Sequence, residues 1–483
     1  MVDQNLAVDS AHTQISRKRK LRVWEVTALS VGFMGPVMAM ALNGIGVAGL
    51  VGKSVPFTFL LAFIGTLLVG YGFIRLTGYF SHAGSVYALA GATIGPRAGF
   101  FGGFALLGTY LFFAACILGA TGVFFQAWAE EFGGALANIP WILIALVVSA
   151  LVVVLNVRES RVVTRVLLVI GALGVAAMLV LAIVIFAKVG SGTGPVEGAT
   201  IDWSAFLPGN ATAVGVLTAS VFAFLSWAGF ESGASLGEET ENPRRVIPKA
   251  LLGAIVVAGL LYTFMMFAQT IGFGTDVDGV AAFAGSNSTL TQLSTMYISR
   301  EYAMLIAFVA FVVAFASVLS STAAAARLIY ALARDGFGPK RLGVANPKTG
   351  VPVAAVITTI VLALLLAGGI SVFGGSAFDA YYWYATIATL CMVVAYGMTS
   401  VGVIVYVFRA KGNRIPKWEA IMPVLGLIYL AFVYAIQVIG QEAPYTYFPW
   451  IAGAWCLVGF VIILARPQLA KRIGGRLSVE DLD

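Results

Sequence analysis

The feature that most constrains this chain is a succession of long apolar runs, each close to the roughly 20 residues that an α-helix needs to cross a bilayer. Of its 483 residues, 60% are hydrophobic and 11% are charged, against about 25% charged residues in soluble domains. We therefore predict an all-α integral membrane protein with twelve transmembrane helices. The runs lie at 24–52, 55–76, 97–126, 138–157, 162–187, 213–237, 249–273, 302–333, 352–370, 378–408, 419–440 and 446–465.

The distribution of positive charge supports this count, because Lys and Arg concentrate in cytoplasmic loops. With the N-terminus inside, only Lys53, Lys188 and Arg300 fall on the outer side. The net charge of +7 then reflects topology, and the basic residues lack the aromatic interleaving of a nucleic-acid surface. No signal-peptide cleavage pattern follows the first run. We expect a multi-pass protein of the plasma (inner) membrane, in contact with the lipid bilayer, with both termini cytoplasmic and no nucleic-acid partner.

The sixth run places a polar and aromatic cluster, Ser226-Trp227-Ala228-Gly229-Phe230-Glu231, near mid-membrane. A carboxylate at that depth costs about 2.5 to 3.5 kcal/mol and usually faces a bundle interior or a water-filled cavity. Gly229 weakens the helix beside it, and unpaired backbone groups at mid-membrane are tolerated only inside protein or against a polar molecule. This segment is a candidate binding site. The alternative is a helix bent at Gly229, with Glu231 hydrogen-bonded to a neighbouring helix.

The first run carries its own interruption, Ser30-Val31-Gly32-Phe33-Met34-Gly35-Pro36. Proline removes a backbone donor, and glycines lower the cost of leaving helical geometry, so we predict a break near Phe33. The interrupted runs are the first and the sixth, which are equivalent positions if ten spans form two repeats of five. Paired interruptions of this kind are the best pointer in a sequence to the central site of a transporter.

Two further groups of polar residues allow a structural and a functional interpretation. Ser317, with the hydroxyls at 320–322, could bind a cation together with carbonyls of the first break, although such hydroxyls more often bond the carbonyl four residues back. The mixed-charge stretch 238–245 is either a solvated, ion-paired loop or part of an inner gate. As a gate it would close against the Arg-rich N-terminus or against the arginines at 158, 161 and 165.

Neither a metal site nor an enzyme active site is indicated. Cys116, Cys391 and Cys456 lie in apolar runs without paired spacing, which favours packing roles. The two histidines, His12 and His82, lie outside the spans, so we expect no cofactor and no catalytic residues. A channel remains the alternative class, although a channel does not need paired helix breaks.

Several motifs in order resemble the amino acid, polyamine and organocation (APC) permease family over essentially all twelve spans. They are the break at Gly32 to Pro36, Ala83 to Tyr87 with Gly95-Pro96, Trp227 to Glu231, Glu239 to Pro243 with Ile247-Pro248, and Arg327 to Tyr330 with Arg334-Asp335-Gly336 and Pro339. The resemblance implies a five-plus-five inverted-repeat fold of the leucine-transporter type, alternating access, and substrates that carry an amino group.

The chain departs from the family pattern at three positions. Trp227 stands where members generally have Phe, and Gly171 stands where some proton-coupled relatives have a lysine. Ser317 follows Ala316, where sodium-coupled relatives have adjacent hydroxyls. Neither coupling signature is therefore intact, and we favour a proton over sodium as the coupling ion.

The resulting prediction is a secondary active permease for amino acids or related amines, with a polyamine or other organic-amine permease or exchanger as the alternative. We expect a cytoplasmic tail at 1–22, a ten-helix core at 23–410, two accessory helices at 411–466 and a cytoplasmic tail at 467–483. Coupling or gating is assigned to Glu231 and Ser317. The predicted substrate-binding residues are Gly32, Phe33, Gly35, Pro36, Tyr110, Ser226, Trp227, Ala228, Gly229 and Phe230.

Pro36 adds a hypothesis about substrate class. In amino acid carriers that this chain resembles, the first-helix break presents backbone N–H groups to the substrate carboxylate, and proline has none. The alternative is that Pro36 merely restarts the half-helix, where proline is favoured at the first position. Amine-carrying branches of the family are similar in having Pro at this point, so we expect a bias toward amines or amino acids with a displaced carboxylate.

Overall fold

The computed structural model describes residues 20–80, 85–132, 135–158, 161–347, 349–409, 415–439 and 441–480. Within these ranges the regular structure is helical, apart from one isolated β-bridge between Leu21 and Thr240. Most of the predicted N-terminal tail, and the side chains of Glu238 and Glu239 in the predicted gate loop, lie outside the described residues.

The first half of the described chain contains both the first predicted break and the connector after the second run. Helices α1 and α2 are separated by Gly35 alone, and α2 and α3 by a 3-10 turn at Gly52–Ser54. This connector is the short helix α4. The helices are α1 (Val23–Met34), α2 (Pro36–Val51), α3 (Val55–Thr77), α4 (Ser85–Thr93), α5 (Pro96–Phe132), α6 (Trp141–Arg158), α7 (Arg161–Gly190) and α8 (Ala213–Leu225).

The second half begins with a 3-10 segment, Phe230–Glu239, that continues the sixth run beyond its break. Two short helices, α10 and α11, lie between the seventh and eighth runs and were not predicted. The helices are α9 (Pro243–Phe273), α10 (Val277–Ala284), α11 (Thr289–Tyr297), α12 (Arg300–Arg334), α13 (Val353–Val372), α14 (Ala377–Arg409), α15 (Ile421–Val438), α16 (Phe448–Ala465) and α17 (Pro467–Glu480).

Eleven helical stretches of the described chain are long and apolar enough to cross a membrane. The first of them, Pro36–Thr77, is 42 residues long and contains both α2 and α3, while α1 is a shorter apolar helix. The multi-span, all-helical prediction is thus confirmed at this level. The count differs from the twelve predicted runs because this one stretch contains the first two of them, which are joined at the turn Gly52–Ser54.

Burial separates central from peripheral helices. The most apolar part of α5 is 94% buried inside the protein, and that of the stretch from α8 to Gly237 is 78% buried. The corresponding parts of α7 and of Lys417–Val438 are only 28% buried. Helix α5 packs most extensively against α14 and α12. The two interrupted runs therefore meet beside a central group of α5, α12 and α14, and the remaining apolar surface faces outward.

The start of the first run is tied to the loop that follows the sixth. The Glu241 N–H donates to the Leu21 carbonyl at 3.1 Å, beside the Leu21–Thr240 bridge. Asn242 then adopts a left-handed conformation with φ of 101°, and Pro243 begins α9. This backbone contact joins the predicted gate loop to the end of the N-terminal tail, whereas the ion pairing proposed for that loop stays a prediction.

Candidate functional site

The first helix break lies at Gly35. Helix α1 ends at Met34, Gly35 has φ and ψ of 61°, and Pro36 is the first residue of α2. The Gly35 N–H donates to the Gly32 carbonyl at 3.3 Å and so closes the last turn of α1. Glycine adopts this left-handed conformation at little cost, and proline suits the first position of the next helix. The break therefore lies within the predicted motif, two residues after Phe33.

The second break is a four-residue turn. Helix α8 ends at Leu225, and the N–H groups of Ser226, Trp227 and Ala228 then donate to carbonyls three residues back at 2.9 to 3.1 Å. Gly229 follows with φ of 97° and ψ of 1°, and the 3-10 segment begins at Phe230. These bonds tighten the last turn and satisfy the final carbonyls of α8 in place of a continuing helix.

The two breaks contact each other. A Cβ atom added to Gly229 would overlap the ring of Phe33, and one added to Gly233 would lie 2.6 Å from Ser30 Oγ. Glycine at these two positions lets the backbone of the sixth run approach the first run without a side chain between them. The broken segments therefore form one junction, which contains predicted residues from both runs.

Glu231 lies fully buried at this junction. Tyr110 of α5 donates its hydroxyl to Glu231 Oε1 at 2.8 Å, and Tyr396 of α14 donates to Oε2. Among the described residues no Lys, Arg or His forms an ion pair with this carboxylate. These three residues, named here the Glu231 cluster, satisfy the carboxylate by neutral hydrogen bonds, which a buried polar group requires. Glu231 and Tyr110 were predicted, whereas Tyr396 was missed.

Ser317 connects α12 to the first break. Its Oγ donates to the Phe33 carbonyl at 3.0 Å, and the side chain is fully buried. The hydroxyl thus satisfies a carbonyl at the end of α1, which a continuous helix would otherwise bond. Of the neighbouring hydroxyls, Ser321 bonds the Val318 carbonyl within its own helix at 3.1 Å. Ser317 is the predicted α12 residue that the structure joins to the junction.

A second group of hydrogen-bonded polar residues, which we did not predict, lies at the start of the turn 226–229. Tyr381 of α14 donates to Asn43 Oδ1 at 2.6 Å, and Asn43 Nδ2 of α2 donates to Ser226 Oγ at 2.7 Å. We name Tyr381, Asn43 and Ser226 the Asn43 chain. All three are buried. A lone amide within an apolar run is a signal that could have indicated it, because polar side chains inside membrane spans are rare and usually paired.

The predicted aromatic residues divide into two groups. Phe33 lies 6.0 Å from Tyr110 between ring centroids and belongs to the junction. Trp227 instead stacks on Phe63 of α3, with centroids 6.2 Å apart and an interplanar angle of 1°, and its Nε1–H lies 3.4 Å from the Ile255 carbonyl of α9. The indole ring therefore points away from Phe33 and Tyr110, toward α3 and α9.

The other predicted residues are placed as follows. Phe230 is buried edge-on against Phe73 and Tyr396, and so packs beside the Glu231 cluster. Ala228 is buried within the turn. Gly32 faces α7, since an added Cβ would lie 3.1 Å from Leu168.

Comparison with known proteins gives a consistent result. Residues 21–463 match a family model described as "Amino acid permease". The chain is 24% identical to a low-affinity putrescine importer of Escherichia coli over 73% of this chain and 75% of that protein. It is also 24% identical to a branched-chain amino acid permease of Lactococcus lactis, over 92% and 94%. A methylthioribose transporter of Bacillus subtilis is 24% identical over 74% and 76%.

Proposed function

Because the chain belongs to the amino acid permease family, a branch of the APC permeases, we propose that it is a secondary transporter for amino acids or related amines. Its relatives are named as carriers of putrescine, branched-chain amino acids and methylthioribose. These are small molecules, and an amino group is common to the first two. We assign the transport path to the junction of the two helix breaks.

The observation that carries this assignment is the buried Glu231 at two touching helix breaks. A carboxylate without a cationic partner inside the membrane is costly, even when it is hydrogen-bonded, and by default indicates a functional site such as a substrate or ion pathway. Here it is held by tyrosines from α5 and α14, while the junction itself comes from the first and sixth runs. A movement of the sixth run relative to α5 and α14, of the kind that alternating access involves, would break these hydrogen bonds.

Substrate recognition would use the two ends of the broken helices. The N-terminus of α2 at Pro36 carries a partial positive charge, and the C-terminus of α8 at Leu225 carries a partial negative charge. An ammonium group is attracted to the α8 carbonyls and to the faces of Phe33 and Tyr110, each aromatic face contributing about 0.5 to 2 kcal/mol. Glu231 has one of two roles: it takes up and releases a proton during transport, or it holds the turn of the sixth run in shape.

We further propose twelve spans, with both termini cytoplasmic in the plasma membrane and a five-plus-five inverted repeat. The 42-residue stretch Pro36–Thr77 supports the division into two spans, because at 1.5 Å per residue it would be about 63 Å long. That is roughly twice the 30 Å hydrocarbon core. The turn at Gly52–Ser54 divides it at the place where Lys53 was predicted to lie outside.

Uptake by reconstituted proteoliposomes tests the proposed function. The substrate panel contains leucine, lysine, putrescine and methylthioribose, with imposed proton or sodium gradients. Saturable uptake with counterflow is expected for a carrier, and stimulation by an inward proton gradient is expected if the coupling ion is a proton. Uptake that neither saturates nor shows counterflow would indicate a channel instead.

One observation favours amines over ordinary α-amino acids. Pro36 has no N–H, and the Gly35 N–H already bonds the Gly32 carbonyl at 3.3 Å. Of Gly35, Pro36 and Val37, only Val37 has a backbone N–H that is available to a substrate carboxylate. A hydrogen bond to a charged group is worth about 1.5 to 3 kcal/mol, so each missing donor weakens carboxylate binding by roughly ten- to a hundredfold.

Matched pairs of substrates test this second candidate. We expect cadaverine to be taken up better than lysine, and isoamylamine better than leucine, because the members of each pair differ only in the carboxylate. Pro36→Ser restores an N–H and a hydroxyl, and should shift relative uptake toward the amino acids. If the wild-type protein prefers the amino acid strongly in both pairs, the bias toward amines is refuted without any variant.

A further inference from the structure

A groove of about 400 Å³ lies between α3, α7 and α9, beside the segment at 201–206 that precedes α8. Nine of its ten lining residues are apolar and six are aromatic. The tenth is Thr263, whose hydroxyl oxygen is buried. The volume lies within the range of small-ligand sites, and the lining offers a ligand almost only apolar contacts. The groove is therefore suited to a hydrocarbon group and not to a polar substrate.

The surroundings of the groove indicate what fills it. Helices α3, α7 and α9 all belong to stretches that are long and apolar enough to cross a membrane. At the mouth of the groove Leu260 is 64% exposed and Trp203 is 67% exposed. Leu260 lies on a helix long and apolar enough to span a membrane, so its exposed side chain faces lipid, while Trp203 lies in the segment between two such stretches. The occupant that this surface meets at high concentration is the acyl chain of a phospholipid.

A cation lies at the end of the groove that carries Trp203. Lys53 Nζ donates to Asp202 Oδ2 at 2.7 Å and to Ser204 Oγ at 2.8 Å, and its side chain is 36% exposed. An ammonium group has three donors, so one N–H remains for a further acceptor. A lipid phosphate supplies an anionic acceptor, and Trp is enriched at the same interfacial depth as phospholipid headgroups.

The wall of the groove also touches the second helix break. Phe63 lines the groove on one side and stacks flat on Trp227 on the other. Tyr262, next to Thr263 on α9, packs edge-on against the same indole with ring centroids 5.2 Å apart. A ligand in the groove would therefore fix the rings that hold Trp227, and through Trp227 the turn at 226–229.

We propose that this groove is a phospholipid-binding site, in which one acyl chain fills the aromatic groove and Lys53 binds the headgroup phosphate. The bound chain restrains Phe63 and hence the turn that contains Trp227. Lipid binding in the groove is proposed independently of amine transport, because neither Lys53 nor any residue that lines the groove belongs to the junction of the two helix breaks.

The test measures lipid retention by native mass spectrometry of the detergent-purified protein titrated with dioleoyl phosphatidylglycerol. Leu260→Trp places an indole at the mouth of the groove, and should weaken retention about tenfold by displacing a few methylene groups. The matched control is Leu365→Trp on α13, where the side chain is 66% exposed and does not line the groove. Equal retention in the two variants, whether lowered or unchanged, would overturn the proposal.

Two charge variants separate the headgroup contact from the acyl-chain contact. Lys53→Met should lower retention of phosphatidylglycerol without changing retention of dioleoylglycerol, which has the acyl chains but no phosphate. Asp202→Asn should have the opposite effect on phosphatidylglycerol, because it releases the ammonium from its carboxylate partner. If both variants shift phosphatidylglycerol retention in the same direction, Lys53 does not bind the headgroup and this part of the proposal is wrong.

Discussion

Substitution of Gly229 by Ala should destabilise the protein through two separable effects. The first is backbone strain. Gly229 has φ of 97°, and this left-handed conformation costs a residue with a Cβ roughly 1 to 2 kcal/mol of stability. The second is overlap of the added Cβ with the ring of Phe33, and overpacking typically costs about 1 to 3 kcal/mol. Together these effects amount to about 2 to 5 kcal/mol.

Two other glycines provide matched controls for this substitution. Gly374 has φ of 82° and nothing within 4 Å of an added Cβ, so Gly374→Ala should show the strain alone. Gly171 lies in helix α7 and also faces open space. Gly171→Ala should therefore be neutral or stabilise by up to about 1 kcal/mol. In detergent, Gly171→Ala should melt at the highest temperature, followed by the wild type, then Gly374→Ala and finally Gly229→Ala.

A double substitution isolates the contact between the breaks. Phe33→Ala alone removes a buried ring and should itself destabilise the protein by about 3 to 5 kcal/mol. In that background, adding Gly229→Ala should cost the strain alone, without the overpacking part. Uptake should fall in Gly229→Ala even at temperatures where the protein stays folded, because the added methyl group lies where the two breaks meet. If Gly229→Ala melts together with Gly374→Ala and transports normally, Phe33 does not press on Gly229 and the junction is incorrectly placed.

Three further predictions concern single side chains. Glu231→Gln should keep the protein folded but abolish the pH dependence of uptake if this carboxyl carries the coupled proton, and an unchanged pH profile would remove it from coupling. Ser317→Ala deletes the donor to the Phe33 carbonyl, and should lower thermal stability by about 1 kcal/mol and slow uptake. An unchanged melting temperature and uptake rate would show that this hydrogen bond is dispensable. A hydrogen bond from Lys53 lowers the pKa of Asp202 from 3.8 to about 2. The stability that Asp202 contributes is therefore present above pH 4 and lost as the pH falls toward 2. Lys53→Met should reduce this loss by up to about 1 kcal/mol. Melting curves recorded across that pH range measure the difference.

The sequence was sufficient to predict those features that depend on local chemistry. The spans follow from the length of the apolar runs, and the second break follows from a glycine within one of them. At the first break both Gly32 and Gly35 were available. Only Gly35 has the left-handed conformation, since the proline after it starts the next helix at once. The motif therefore located the break to within two residues of Phe33, but it did not show which of the two glycines ends the helix.

The contacts that satisfy the site could not be derived in the same way. Tyr396 is 165 residues from Glu231, and Tyr381 is 338 residues from Asn43. Such pairings depend on how each helix is rotated about its axis, and near-uniform apolar runs carry little periodicity to fix that rotation. The orientation of the Trp227 ring could not be derived for a related reason. It lies in a turn and not in a helix, so its neighbours in sequence do not show which way its ring points.

Helix α14 carries Tyr381 of the Asn43 chain and Tyr396 of the Glu231 cluster on one uninterrupted helix. The two residues are 15 positions apart, which corresponds to about 22 Å along the helix axis. A single inserted or deleted residue between them would turn one tyrosine by about 100° relative to the other, so both hydroxyls could no longer reach their partners. The length of this segment is therefore fixed to the residue, although its lipid-facing composition is free to change. Homologues that keep both tyrosines should differ here by substitution and never by insertion or deletion.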